Sequence, residues 1–371
     1  MTRGLLTVGV YLGLALALTR PAEALPIFAH QYGLSCQKCH SAIPSLNDFG
    51  RAFLSAGYRI PKEAPGPAFP ISAKVNLQYT SAADPGLPKA VVDEVEFLTA
   101  GLIGSRTNYF VEQYVVDGGV HGNLREAWAN YRFTAEDAKV PVFLRAGQFT
   151  LALPVDPETF RETASHYAVF DQTVGSNSFN FFDPKLGVSL RIGSLEKGSS
   201  VEFSALNGHD RQNGLPTIGV DTLAIVHHVM GPVDLSVYHY RGRRNVDPGA
   251  PADGGIGDAD LFTRTGLGVR YEYKRWTSES VIQNNTDTNV DGLGNALRSS
   301  GGFTQLRYSI TPKLFALGRL DGTNDTEGFQ RSATALLGYR LSHNSRLTFE
   351  DVIAHQPQTT NTFNFQLTIG Y

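Results

Sequence analysis

Most of the chain alternates hydrophobic and polar residues with a period of two. Residues 71–80 place apolar side chains on one face and polar side chains on the other, and residues 363–371 repeat this pattern at the end of the sequence. Such alternation predicts β-strands with one apolar and one polar face. Strands of about ten residues with an apolar outer face and a terminal aromatic residue are typical of transmembrane β-strands.

The pattern predicts roughly sixteen strands, an even number as expected of an antiparallel membrane barrel. Between the first and the last strand, the predicted strands cover residues 92–103, 108–117, 124–133, 141–149, 186–192, 200–207, 221–229, 233–241, 261–273, 276–284, 301–310, 314–321, 330–339 and 346–353. The predicted fold class is therefore mostly β, with a porin-like transmembrane β-barrel over residues 71–371.

The predicted connections alternate between short turns and long polar loops. The long loops cover residues 82–91, 118–122, 150–185, 208–219, 242–260, 285–300, 322–329 and 354–361. Short turns at one end and long loops at the other are typical of outer-membrane barrels with both termini in the periplasm. A soluble β-sandwich has no reason to keep that parity.

The longest connection, residues 150–185, contains several aromatic residues and has no clear periodicity. Loops of this length in a compact fold are usually functional or disordered, and the aromatic residues argue against disorder. We therefore expect this loop to fold into the barrel lumen and narrow it. An ordered, exposed lid is the alternative.

The start of the chain has the pattern of an export signal. Arg3 precedes an apolar stretch at residues 4–18, and Ala22-Glu23-Ala24 resembles a cleavage site. Residues 1–24 are thus predicted to be a signal peptide, and the mature chain is expected to begin near Leu25. No later segment has eighteen consecutive apolar residues. The net charge of −3 gives no indication of a nucleic-acid partner.

Residues 25–70 do not show the period-two alternation of the predicted barrel. A weak capping box at Ser45 and Asp48 precedes Phe49, Ala52, Phe53 and Ala56, whose spacing predicts one short helix that ends at Gly57. Four prolines then form a linker to the barrel. A domain of about forty-five residues is below the size at which a core usually supports itself. We therefore expect it to need another surface.

The sequence Cys36-Gln37-Lys38-Cys39-His40 has the Cys-x-x-Cys-His pattern of a c-type haem attachment site. Two thiols three positions apart can reach the two vinyl groups of a porphyrin, and the adjoining imidazole can then bind the iron. The alternatives are a redox dithiol, a disulfide or half of a zinc site. With two cysteines in the whole chain and no βαβ context, these are disfavoured. The sequence predicts one covalent haem c, with Cys36 and Cys39 holding it and His40 as proximal ligand.

The sixth iron ligand is left open by the sequence. Met1 belongs to the predicted signal peptide, and Met230 lies in a predicted periplasmic turn, so an axial methionine from the haem domain is excluded. His30, six residues before Cys36, is a possible distal ligand. A barrel side chain that faces the lumen and an open coordination position are the other possibilities.

Two stretches resemble a known family. Residues 25–40, together with 44–53 and Gly57-Tyr58, resemble the N-terminal domain of the fused outer-membrane monohaem cytochrome c–porins, which include the iron-oxidising outer-membrane cytochromes. Residues 124–133 and 144–149 resemble a strand pair of phosphate-selective-type porins. The resemblance implies a small α-helical cytochrome domain that plugs the lumen of the barrel. It also implies electron transfer from an extracellular donor such as Fe(II) to a periplasmic carrier such as a soluble cytochrome.

Three functions are compatible with these features. The preferred one is an outer-membrane electron conduit, and Fe(II) oxidase activity would need no acid, base or nucleophile because the haem iron does the chemistry. A diffusion channel with a haem-bearing plug or sensor is the alternative, and electron export to an outside acceptor is the third. The carboxylates of the predicted outer loops are expected to be solvated turn formers without an assigned site; they are Asp247, Asp253, Asp258, Asp260, Asp287, Asp291, Asp325 and Glu327.

Overall fold

The structure is a computed structural model of the chain. It describes residues 26–42, 44–61, 63, 65–66, 71–82, 88–207, 219–246, 259–325, 328–342, 344–356 and 358–370. The predicted signal peptide at residues 1–24 and much of the proline-containing linker lie outside the described residues.

Residues 26–61, which we call the N-terminal segment, hold three short helices and a small antiparallel β-ribbon. These elements are α1 (Pro26–Tyr32), α2 (Cys36–Cys39), β1 (His40–Ala42), β2 (Ser45–Leu46) and α3 (Asp48–Ser55). The predicted helix after the motif is confirmed as α3, but the predicted capping box is wrong. The N-cap is Asn47, whose side chain accepts a hydrogen bond from the Gly50 N–H, because Ser45 is used in β2. In the described part of the chain, no helix is long and apolar enough to cross a membrane.

The rest of the chain forms a closed antiparallel β-barrel. Its strands are β3 (Ser72–Thr80), β4 (Ala90–Ile103), β5 (Thr107–Asp117), β6 (Val120–His121), β7 (Leu124–Arg132), β8 (Val142–Phe149), β9 (Lys185–Gly193), β10 (Gly198–Leu206), β11 (Asp221–Met230), β12 (Val233–Asn245), β13 (Ala259–Tyr273), β14 (Trp276–Asp287), β15 (Leu297–Ser309), β16 (Leu314–Asp325), β17 (Gly328–Arg340), β18 (Ser345–Gln356) and β19 (Gln358–Gly370).

The barrel has sixteen strands, because β6 and β7 are two parts of one interrupted strand that pairs with β5. The first and last strands close it, with Asn364 opposite Thr80 and Gly370 opposite Lys74. The predicted porin-like barrel is therefore confirmed, and each of the predicted strands corresponds to an observed one.

Side chains alternate between the lumen and the outer surface as the sequence pattern predicts. In β9, Lys185, Ser189 and Arg191 are buried in the lumen, whereas Leu186 and Val188 lie exposed on the outside. In β9 the inner side is thus polar and the outer side apolar. Other strands also direct apolar side chains inward, such as Ile225, Tyr240 and Phe262.

Aromatic side chains lie on the outer surface near the ends of the strands. Trp276 packs against Tyr308 with ring centroids 4.3 Å apart, and Tyr271 stacks on Tyr273 at 6.3 Å. All four belong to strand ends that meet at short turns, an end of the barrel that we call the short-turn end. Aromatic residues in this position form the interfacial girdles of membrane barrels.

Two of the predicted long loops are wrong. β16 and β17 pair up to Asp325 and Gly328, and β18 and β19 pair up to Gln356 and Gln358, so most of residues 322–329 and 354–361 is strand. Apart from the exposed Phe329, these strand ends carry no large apolar side chain, because they extend past the apolar belt. The alternation that reveals a half-buried strand is therefore lost there.

The prediction that the longest connection folds into the lumen is confirmed. Residues 150–184, which we call the lumen loop, contain the short helix α4 (Pro157–Phe160) and pack against inward-facing residues of the barrel. Leu153, Tyr167, Phe170 and Phe181 are almost completely buried in this cluster. Together with inward-facing barrel residues, the loop forms the larger hydrophobic cluster of the described residues.

A glycine of β13 makes room for the lumen loop. A Cβ atom on Gly268 would lie 2.0 Å from the Cβ of Pro154. We expect Gly268→Val to displace residues 151–156 at a cost of about 1–3 kcal/mol, typical of overpacking, and to make the loop more sensitive to limited proteolysis. Gly318→Val is the matched control, because a Cβ on Gly318 meets nothing within 4 Å. Equal proteolysis of the two variants would contradict the prediction.

Candidate functional site

The N-terminal segment lies inside the short-turn end of the barrel and contacts its wall on several sides. Arg51 of α3 pairs with Glu272 at 3.0 Å, and Arg191 donates a 2.9 Å hydrogen bond to the carbonyl of Ser55. On another side, Arg340 donates to the carbonyl of Ser41 at 3.2 Å. These partners belong to β13, β9 and β17, so the segment reaches across the lumen. The small unit thus lies against another surface, as expected, and that surface is the barrel wall.

Aromatic stacking joins the segment to the barrel. Two consecutive residues with positive φ, Gly57 at 73° and Tyr58 at 60°, reverse the chain after α3. This turn places the Tyr58 ring against Phe28, with centroids 4.4 Å apart, and against Trp128 of β7 at 6.3 Å. A non-glycine residue in the left-handed region is strained, and such strain persists where the surrounding packing fixes it.

A cavity of about 420 Å³, which we call the motif cavity, brings the three motif residues together. Cys36, Cys39 and His40 all line it. Its other lining residues in the N-terminal segment are mostly apolar and include Phe28, Leu34, Pro44, Leu46, Phe53 and Leu54. Residues 150–154 of the lumen loop and Trp128 of the barrel also line it. The volume lies within the range of about 300–1,000 Å³ typical of pockets for small molecules and cofactors.

The imidazole of His40 is oriented by a local contact. Its Nδ1 lies 2.8 Å from the carbonyl oxygen of Pro44, and a carbonyl accepts hydrogen bonds only, so Nδ1 carries the proton. The lone pair of Nε2 is then left for another partner, the arrangement found in metal-binding histidines. Burial lowers the pKa of the His40 imidazole, against a smaller opposite effect of the backbone contacts with Pro44 and Ser45. The neutral, ligand-competent form is therefore favoured.

The thiol of Cys39 is not activated. Burial, and secondly the neighbouring Cys36, raise its pKa to about 11, so that it is protonated at neutral pH. Redox-active Cys-x-x-Cys motifs instead have a cysteine with a lowered pKa. The two cysteines lie one turn apart in α2, and both line the cavity. Cys39 is therefore not the activated thiol of such a motif.

Charged side chains of the barrel wall also reach the motif cavity. Lys74 pairs with Glu96 at 2.5 Å, and Glu126 accepts a 2.6 Å hydrogen bond from the indole of Trp128. Arg145 lies over the Trp128 ring, 4.5 Å from its centroid, and forms no ion pair with a carboxylate among the described residues. Arg145 is therefore a cation available for an anionic group in the cavity.

The candidates for the sixth iron ligand lie in different places in the structure. The backbone of His30 belongs to α1, but its side chain lies outside the described residues. Met230 ends β11 and is 59% exposed on the surface. A lumen-facing imidazole that the sequence analysis did not single out, His227 of β11, lines the motif cavity with its Nδ1 2.9 Å from the hydroxyl of Ser236. The sequence gives no signal for its inward position, because β11 also directs Leu223 and Ile225 inward and Thr222 outward.

Two carboxylates expected in solvent are instead buried. Asp260 pairs with Arg244 at 3.0 Å, and Asp287 pairs with Arg264 at 2.6 Å. Both aspartates belong to strands that are longer than predicted, which brings them inside the barrel. Asp291 does behave as a turn former, since it accepts hydrogen bonds from the Leu293 N–H and from Asn295. The other predicted loop carboxylates, Asp247, Asp253, Asp258 and Glu327, lie outside the described residues, as does the side chain of Asp325.

Within the described ranges, no group of three or more histidine, cysteine, aspartate or glutamate residues is placed to hold a metal ion directly.

The fold is similar to that of known porins. An anion-selective porin from Comamonas acidovorans aligns with a TM-score of 0.58 at 11% identity, over 81% of this chain and 98% of that chain. OmpF of Salmonella typhi, in a complex with daunomycin, aligns with a TM-score of 0.57 at 12% identity, over 81% and 97% of the two chains. A loop-deletion variant of OmpT from Vibrio cholerae gives 0.54 at 12% identity, over 81% and 98%. No protein-family model matches the sequence, and no curated protein matches it.

Proposed function

We propose that this chain is an outer-membrane electron-transfer protein that carries one haem c, attached through Cys36 and Cys39, with His40 as the proximal iron ligand. The observation that carries the proposal is the geometry of the motif cavity. Both thiols and an imidazole whose Nδ1 is held by the Pro44 carbonyl line one pocket inside a porin-like barrel. In this proposal the chain belongs with the fused cytochrome c–porins that its N-terminal sequence resembles.

The residues of the cavity fit a porphyrin. Apolar side chains from the N-terminal segment would cover its faces and keep water from the iron, and Arg145 offers a cation for a propionate. Once bound, the haem supplies reversible one-electron transfer, while the protein sets its potential and access. The sixth position would be taken by His30, by a lumen-facing side chain such as His227, or be open.

The outer membrane is the proposed location because of the outer surface of the barrel. Its exposed apolar belt and its aromatic residues at the short-turn end suit a bilayer and its interface. With the short-turn end in the periplasm, the haem would face soluble periplasmic carriers such as a cytochrome. The electron donor would be extracellular, with Fe(II) as the proposed example.

Two measurements on the purified protein test this proposal. Haem that stays bound after acid–acetone extraction, one per chain by the pyridine haemochrome spectrum, would support covalent attachment. Stopped-flow mixing with Fe(II) should then give the reduced spectrum of the haem, and a ferric acceptor mixed with the reduced protein tests electron export in the same way. If the purified protein holds no haem that resists acid–acetone extraction, the cytochrome assignment is overturned. If the haem stays oxidised after mixing with Fe(II), Fe(II) is not the donor.

A diffusion channel with a haem-bearing plug is the second candidate. Its supporting observation is the porin-like barrel itself, since the similar structures are porins. Against it stand the N-terminal segment at the short-turn end and the lumen loop above it, which occupy the interior. Planar-bilayer recordings separate the two, because the electron conduit predicts little or no open-channel current and the channel predicts large currents.

A further inference from the structure

A second cavity, of about 470 Å³, lies at the short-turn end beside the motif. Cys36 and His40 line it, together with Arg275, Lys313 and Arg340. Arg275 and Lys313 are exposed in turns between strands, whereas Arg340 is half-buried at the end of β17. We call these three cationic residues the basic mouth.

The positive charge of the basic mouth is not neutralised by neighbouring acids. Arg275 donates to the carbonyl of Ile310 at 3.3 Å, and Arg340 donates to the carbonyls of Ser41 and Pro312. Among the residues that the structure describes, none of the three cations pairs with a carboxylate. Three unneutralised charges around one cavity focus a positive field toward the residues that line it.

The charge is concentrated on the side of the barrel end that carries the motif. The turns on the opposite side of the same end expose Glu136, Asp137 and Glu196 beside lysines, so charges of both signs are mixed there. On the motif side, the turns after β13 and β15 and the end of β17 contribute cations. The excess of positive charge at this end therefore lies on the Cys36–His40 side of the opening.

We propose that the basic mouth docks the acidic face of a soluble electron-carrier protein and steers its redox group toward Cys36 and His40. This inference rests on the proposed function. In the transfer, a bound haem would be oxidised from ferrous to ferric by one electron and the metal of the carrier would be reduced by one electron; no bond would form or break. Lipid headgroups are a poorer match, because the cations line a cavity, whereas the neighbouring Lys274 lies over the outward-facing ring of Tyr273 at 5.0 Å.

The test compares two probes that differ in surface charge alone. A small basic cytochrome c and its succinylated, acidic form are each mixed in oxidised form with the reduced full-length protein in a stopped-flow instrument. At low salt the acidic form should react at least about tenfold faster, and its rate should fall as salt is added. The double variant Arg275→Glu with Lys313→Glu should slow the acidic form by about tenfold or more, and the basic form should no longer be disfavoured.

Lys274→Glu is the matched control, because it reverses a charge in the same turn on the lipid side, and it should change both rates much less than the double variant does. The haem spectrum and reduction by dithionite are recorded for every variant, so that a missing haem, which would defeat the proposed function itself, is recognised separately. Equal rates for the wild type and the double variant would overturn the docking proposal. So would a small-anion site, recognised by inorganic phosphate binding that the double variant loses while the protein probes react unchanged.

Discussion

Replacing Cys36 and Cys39 together by serine is expected to abolish covalent haem attachment while the barrel still folds. The hydroxyl of serine cannot form the thioether bonds that the two thiols would make with the porphyrin. The barrel closes through backbone pairs between β19 and β3, which do not involve the motif. Haem that resists acid–acetone extraction should fall from about one per chain to background, and the heat-modifiable band of a folded barrel should persist on unheated gels.

Gln37→Ser is the control for this experiment, because it changes an exposed residue between the two cysteines and keeps both thiols. It should retain the haem. Full haem content in the double cysteine variant would show that the motif is not the attachment site. Loss of the heat-modifiable band in that variant would instead mean that the segment is needed for folding, and His40→Ala, which keeps the thiols, would then be compared by its altered absorption spectrum.

The strands could be predicted because the side-chain alternation is visible in the sequence wherever lipid lies on one side and the lumen on the other. β9 is an example, with Leu186 and Val188 outside and Ser189 and Arg191 inside. The alternation disappears where the strands extend past the apolar belt. For that reason the burial of Asp287, which pairs with Arg264 from the neighbouring strand, could not be predicted.

In the candidate site, contacts between residues close together in the chain could be predicted from the sequence, whereas contacts between distant residues could not. The motif and its imidazole are contiguous, and the partner of His40, Pro44, is four residues away. By contrast, the contact of Tyr58 with Trp128 depends on a strained turn and on a strand seventy residues later in the chain. The size of the N-terminal segment indicated that it must rest on another surface, but not which side chains of the barrel it contacts.

The lumen loop is held in place by charged residues of the barrel wall. Arg319 of β16 donates to the Thr163 hydroxyl at 2.6 Å, to the Ser165 hydroxyl at 2.8 Å and to the His166 carbonyl at 2.9 Å. It also pairs with Asp321 at 2.7 Å, and both side chains of this pair are buried. Arg319 therefore joins the loop to the wall through several charge-assisted hydrogen bonds at once.

Arg319→Ala is accordingly expected to release the lumen loop and so to let ions pass through the barrel. The substitution removes the loop contacts and leaves the carboxylate of Asp321 buried without its partner, a change that costs about 3–5 kcal/mol in buried ion pairs. Planar-bilayer recordings should change from little or no current in the wild type to small open-channel steps in the variant, because the N-terminal segment still occupies the short-turn end. Arg331→Ala, which removes an exposed arginine of β17, should leave the wild-type behaviour unchanged. Large currents in the wild type would mean that the loop does not block the lumen, and the diffusion channel would then replace the electron conduit as the better explanation of the fold.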